Sequence, residues 1–375
     1  MARFAYVSLV VVLACRGADK DSSIDTDPDD TDTTQTDETD TEPGETGETG
    51  DTAAPASTPT INELMPEALF AATDGEGEPA GWVELYAPGP GDAPLDGWVL
   101  REELSEVEHP LDGHVVPGGG YLLLWADGET KQGADHLSFS LSPEGAWLAL
   151  LDPAGVTVEL LAFGALGPDV AASRIPDGGA VFEIAYGGTP GASNVAMDVE
   201  DLMLVDTGTE WRFDDTGSDL GTSWREVDYD DGKWPAGPSP LGYRVNAVET
   251  PVGFGKDPED KYITTYLRTT VEVKGATDLV QVVASVRKDD GVVVYLNGSE
   301  IGRLNMPEGK IDYLTPATVP ATGGEQDDYF DLRVAPGALV EGTNVLAAEV
   351  HQWDPSTNDM IFDLRLSAQR VTLAE

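Results

Sequence analysis

Apolar positions along the chain come in short alternating or continuous runs, each closed by glycine, proline or aspartate. Trp82-Val83-Glu84-Leu85-Tyr86 alternates and stops at Ala87-Pro88-Gly89-Pro90-Gly91. Trp98-Val99-Leu100 follows the turn Leu95-Asp96-Gly97, and Pro117-Gly118-Gly119-Gly120 leads into the apolar run Tyr121-Leu122-Leu123-Leu124-Trp125. Ala146 to Leu151 and Val156 to Leu161 flank Asp152-Pro153-Ala154-Gly155, which reads as a hairpin turn. A period of two with this punctuation predicts strands. Their spacing between about Pro59 and Val195 fits a β-sandwich of immunoglobulin type.

The same grammar continues from about Glu200 to Glu375. Tyr266 to Val273 alternates as a half-buried strand does, and Val292 to Leu296 ends in Asn297-Gly298, a strong two-residue hairpin turn, before Glu300 to Leu304. Asn344 to His351 and Met360 to Leu366 supply two more strands. The fold class expected is therefore all-β, with two successive sandwiches.

Between Arg16 and Thr58 the apolar pattern vanishes. Asp25-Thr26-Asp27-Pro28-Asp29-Asp30-Thr31-Asp32 shows the character of the segment. Dense like charge with so little to bury predicts a disordered, extended linker. Its maximum reach is on the order of 140 Å at about 3.3 Å per residue. Alternating Asp25, Asp27 and Asp29 do not make an EF-hand, because Asp30 and Thr36 stand where Gly and Glu are required.

Charge narrows the partners. Against 69 acidic residues stand 21 basic ones, a net charge of −48. Nucleic acid, which needs Lys and Arg facing phosphate, is excluded as a partner. Anionic lipid headgroups would repel the surface as well. Cations such as calcium, and neutral ligands such as sugars, suit it.

One cysteine is present, Cys15, at the end of the apolar run Phe4 to Ala14 that follows Arg3. A basic start, an apolar run and a small residue before the cut describe a secretory signal peptide, residues 1–15. Val12-Leu13-Ala14-Cys15 resembles the lipobox of bacterial lipoproteins. That resemblance implies lipid on Cys15, export across the inner membrane, and anchorage at the outer membrane or cell surface of a bacterium. With Cys15 lipidated, no thiol remains for disulfides, catalysis or a cysteine zinc site.

The first sandwich, residues 59–195, resembles the lamin-tail domain. The matching pieces are Ile61-Asn62-Glu63-Leu64-Met65-Pro66, Trp82 to Tyr86, Leu95 to Leu100, Val116 to Tyr121, Leu150 to Gly155, Ser173 to Gly178, and Thr189-Pro190-Gly191-Ala192-Ser193-Asn194. The resemblance implies an Ig-like binding or scaffolding module without catalytic residues. His109, His114 and His136 fall in expected loops with spacing unfavourable for zinc, and read as exposed loop histidines. The second region, residues 200–375, resembles the galactose-binding-like jelly roll through Tyr229 to Trp234, Tyr266 to Val273, Val294 to Gly298 and Glu341 to Leu346. Many members of that family bind carbohydrate, and many others only pack against a neighbour.

Candidate chemistry concentrates in this second region. Asp289-Asp290-Gly291 followed by Asn297-Gly298 resembles the calcium-and-sugar site of PA14-type adhesin domains, which implies calcium on Asp289 and Asp290 with Asn297 beside it. Hard carboxylate oxygens suit calcium. The alternative is a type I turn with solvated carboxylates beside Lys288. Trp353, after a strand end, is the candidate platform for a sugar face. His351, which precedes it, and Asn297 are further candidate ligand-binding residues, though no serine or cysteine motif makes His351 catalytic. Asp206-Thr207-Gly208 and Asp215-Thr216-Gly217 are too close in sequence to come from the two lobes of an aspartic protease. No Gly-x-Ser-x-Gly, His-Glu-x-x-His or phosphate-binding glycine loop is present.

The protein expected is a non-enzymatic surface lipoprotein that binds an extracellular glycan or protein, with calcium the one cofactor implied. The alternatives are a structural envelope module holding partner proteins, and an accessory to a hydrolytic enzyme.

Overall fold

The structure is a computed structural model that describes residues 11–13, 54–102, 106–321 and 324–374. Cys15 and most of the acidic linker lie outside the described residues. The rest is all-β, as the alternation predicts. Among the described residues no helix is long and apolar enough to cross a membrane.

The first half forms two five-stranded sheets. One carries, in order, Phe182–Tyr186, Val170–Arg174, Thr60–Met65, Trp82–Tyr86 and Tyr121–Trp125. The other runs Val11–Leu13, Thr157–Phe163, Ala146–Leu151, Val99–Glu102 and Val107–Pro110. Ile61, Leu64, Val83 and Leu85 from the first meet Leu100, Leu148, Leu150 and Leu161 from the second in one buried core. The hairpin at Asp152 forms as expected: its Oδ1 accepts the Ala154 and Val156 amides at 2.9 Å, and Gly155 takes φ +77°. The linker ends earlier than its composition suggests. Ala56 bridges Gly91, and the Ser57 hydroxyl accepts the Gly89 amide at 2.7 Å, so residues 54–58 belong to the sandwich.

Several polar residues of the first sandwich are scattered in sequence and joined in space. Buried Glu63 accepts the Ser173 hydroxyl at 2.5 Å and the Thr189 amide at 3.0 Å. Buried Glu84 accepts the Asn62 amide at 3.1 Å and the Gly191 amide at 2.6 Å. Asn194 closes the set, donating to the carbonyls of Asn62 at 3.3 Å and Arg174 at 3.0 Å. These polar residues take backbone donors and acceptors that would otherwise be buried and unpaired. Arg174 ties the two sheets together. It pairs with Glu159, donates to the Ile61 carbonyl at 2.7 Å, and lies 4.4 Å above the Phe182 ring.

The second half forms two six-stranded sheets. The first is ordered Ala236–Pro238, Glu210–Asp214, Thr264–Val273, Gly342–His351, Gly291–Leu296 and Ser299–Leu304. The other is built on the long strand Met360–Leu373, which pairs with Leu279–Asp289, Leu241–Tyr243 and Met197–Val205. Trp211 and Phe362, in edge contact at 5.1 Å, lie in the core between them. At Asn297-Gly298 both φ are positive, +50° and +85°, which gives the predicted tight turn. The two sandwiches touch where Gln281 donates to the Pro168 carbonyl at 2.6 Å and Gln369 to the Tyr186 hydroxyl at 3.3 Å.

Candidate functional site

Leu279–Asp289 lies in one sheet of the second sandwich and Gly291–Leu296 in the other, so Asp290 alone makes the crossing. Such a crossing brings backbone against backbone. A Cβ on Gly291 would sit 2.6 Å from Met306 Sδ and 2.9 Å from the Asn305 carbonyl oxygen, which is why glycine completes the Asp-Asp-Gly triplet. The Asp289–Asp290 peptide is cis.

Both carboxylates are buried, at 4% and 1% exposure. Asp290 reaches two loops: one oxygen accepts the Ala321 amide at 2.6 Å and the other the Trp353 amide at 2.8 Å. Its carbonyl accepts the Asn305 amide at 3.0 Å. Asp289 is pushed up to about 8, first by burial, then by its hydrogen bond to Asp290 and the charges of Asp290 and Asp359, with Lys288 opposing. Asp289 therefore holds its proton into the neutral range. Burial, then the Asp290 charge, raises Asp359 as well.

Two buried polar atoms near this crossing have no hydrogen-bond partner, Tyr243 Oη and Gln352 Oε1, while His351 Nε2 lies 3.4 Å from Glu349 Oε2. Tyr243 titrates well above the usual phenol range, because of burial and then the charges of Asp289, Asp290 and Asp359. Beside the pair, Lys288, Leu304, Asn305, Val319 and Phe330 line a groove of about 250 Å³. Trp353 is 44% exposed, its backbone fastened to Asp290 while its ring faces solvent.

Of the residues singled out in the sequence, Asp289, Asp290 and Trp353 therefore meet. His351 does not reach a ligand. It is fully buried, and its Nδ1 donates to the Thr315 carbonyl at 2.8 Å. Asn297 lies at the far end of Gly291–Leu296, where its amide bonds Asn344 at 2.8 Å, the Ala338 carbonyl at 3.1 Å and the Val345 amide at 2.9 Å. Both expectations are corrected: these side chains build the frame. The Asp-Thr-Gly triplets are turn chemistry, with Thr207 bonding Asp363 at 2.7 Å and Asp215 accepting the Gly253 amide. Tyr243, Gln352 and Asp359 went unnoticed in the sequence. No local motif marks them, because a short strand ending at Tyr243 and the separate segment that holds Gln352 and Asp359 bring them to the crossing.

No family model matches the chain, and no curated protein matches it. Among solved structures the chain is similar to a Bacteroides uniformis beta-glucuronidase, with 17% identity and a TM-score of 0.31, over 46% of this chain and 18% of that one. A glycosyl hydrolase family 2 member from Bacteroides cellulosilyticus gives 14% identity and a TM-score of 0.29, over 46% and 20%. An uncultured Clostridium sp. beta-glucuronidase gives 18% identity and a TM-score of 0.27, over 48% and 30%. The chain thus spans about a fifth of the length of the first of these enzymes. Likeness of this degree carries no argument about activity.

Proposed function

We propose that the chain is a non-enzymatic binding protein of a bacterial surface, tethered by lipid on Cys15, whose ligand is a neutral extracellular glycan held at Trp353. The observation that carries the reading is the pairing of an open indole ring with the buried Asp290 carboxylate that holds its backbone. A rigid, half-exposed aromatic face stacks on a pyranose at little entropic cost. The net charge of −48 turns away anionic polymers and leaves neutral sugars.

Calcium at Asp289 and Asp290 belongs to the same proposal. Each Asp290 oxygen accepts one amide and keeps a lone pair, and Gln352 Oε1 has none of its hydrogen bonds made. A divalent cation would displace the proton that Asp289 holds to about 8, so calcium affinity rises with pH through that range. The full chain on a glycan array, with and without calcium, tests the reading. Binding to neutral glycans supports it, and flat responses in both conditions overturn it.

A further inference from the structure

A second polar cluster lies in the first sandwich, far in sequence from the site above. After the strand Tyr121–Trp125 the chain loops out and doubles back, so that His136 bridges Trp125 and the Leu137 amide donates to the Trp125 carbonyl at 2.7 Å. The turn before Trp82 lies alongside, through the Ala126 amide on the Gly81 carbonyl at 2.7 Å. Asp74, Asp127 and His136 converge at this joint, with one ligand atom from each within 4.8 Å of the others. Among the described residues theirs is the group of three such side chains so placed; Asp289, Asp290 and Asp359 do not form one.

Each side chain is already positioned. Asp74 Oδ1 accepts the amides of Glu76 and Glu78 at 2.9 Å, and Asp127 Oδ1 accepts that of Glu129 at 2.8 Å. Asp127 Oδ2 lies 2.7 Å from His136 Nδ1. Metal ligands held at about 2.0–2.2 Å sit about 3–4 Å from one another, so closing this group takes shifts of less than about 1 Å.

What points to a cation is the charge. Asp74 and His136 are 9% and 5% exposed, and the Asp127 side chain 15%. Among the described residues no Lys or Arg pairs with either carboxylate; His136 is the partner present. Glu78 and Glu129 add to the imbalance, since Gln132 Nε2 contacts both. The other end of that amide, Gln132 Oε1, is buried without a partner. Carboxylates taken out of water without compensation are costly, and buried charges are paired or coordinate metals.

We propose that Asp74, Asp127 and His136 form a binding site for a divalent transition cation, zinc in the first instance. An imidazole among two carboxylates suits zinc or manganese; calcium prefers six or more oxygens. Three protein ligands leave a fourth position for water. The cation pins the loop Asp127–His136 to the turn around Asp74.

The test is calorimetric titration of zinc chloride into the chelator-stripped full chain, in a Cys15→Ser background so that the thiol does not compete. Melting curves with and without zinc accompany it. The expected result is one zinc per chain and a raised Tm. Asp74→Asn, which keeps an oxygen for the Glu76 and Glu78 amides, and His136→Gln should each weaken zinc on the order of 100-fold, since losing even an outer partner costs 10–100-fold. Their Tm should no longer respond to zinc. No heat and no Tm shift in the parent overturns the proposal. So does zinc binding that survives in both variants, which would place the metal on the acidic stretch.

Discussion

Glu84 offers a quantitative test of how the first sandwich is held. Its carboxylate is fully buried, and it is pushed up to about 7, chiefly by burial, with the Asn62 and Gly191 hydrogen bonds opposing and the charges of Glu63 and Asp177 adding to the rise. A folded-state value above the unfolded 4.5 means that the folded chain holds this proton more tightly. Stability therefore falls as pH rises from about 4.5 to about 7, and above that range ionised Glu84 costs its full penalty. At 1.36 kcal/mol per unit the penalty is about 3 kcal/mol. Glu84→Gln removes the titration. It also sets one amide N–H against the Asn62 or Gly191 donor, which costs about 1–3 kcal/mol at every pH. Urea unfolding of both proteins between pH 5 and pH 8 separates the two effects: the wild type should lose about 2.5 kcal/mol more than the variant across the range, part of the penalty being present already at pH 5. A variant that keeps the wild-type slope refutes the reasoning, whatever its baseline.

Three further outcomes follow from the geometry. Arg174→Ala strands Glu159 between the sheets and should destabilise the first sandwich by about 3–5 kcal/mol in urea titration; an additional Glu159→Leu should restore most of the loss. Gly291→Ala forces a methyl to 2.6 Å from Met306 Sδ and 2.9 Å from the Asn305 carbonyl, and should cost about 1–3 kcal/mol by the same assay. Cys15→Ser should move the protein from the membrane to the soluble fraction of the producing cell; a variant that still sediments with membranes contradicts lipid anchorage.

Features with a local cause were legible in the sequence. Alternation marked the strands, and Asn297-Gly298 and Asp152 to Gly155 marked their turns, because each depends on neighbours along the chain. Asp289-Asp290 next to a glycine was visible for the same reason. What the carboxylates do was not visible, since the Ala321 and Trp353 amides on Asp290 come from loops 31 and 63 residues away. A loop that doubles back within nine residues hid the pairing of Asp127 with His136, and left His136 looking like an exposed loop residue when it is 5% exposed. Asn297 misled in the opposite direction. Its turn was correctly placed, but a turn at one end of a strand does not put its amide near aspartates at the other.

The ligand claim rests on one ring. Trp353→Ala removes an exposed indole and should leave the fold within about 0.5 kcal/mol of the parent, as surface substitutions do. The most direct measurement is a glycan array read side by side with the full chain and with Trp353→Ala, both in calcium. The account predicts neutral-glycan signals for the full chain that disappear in the variant; signals of equal strength from both would contradict it.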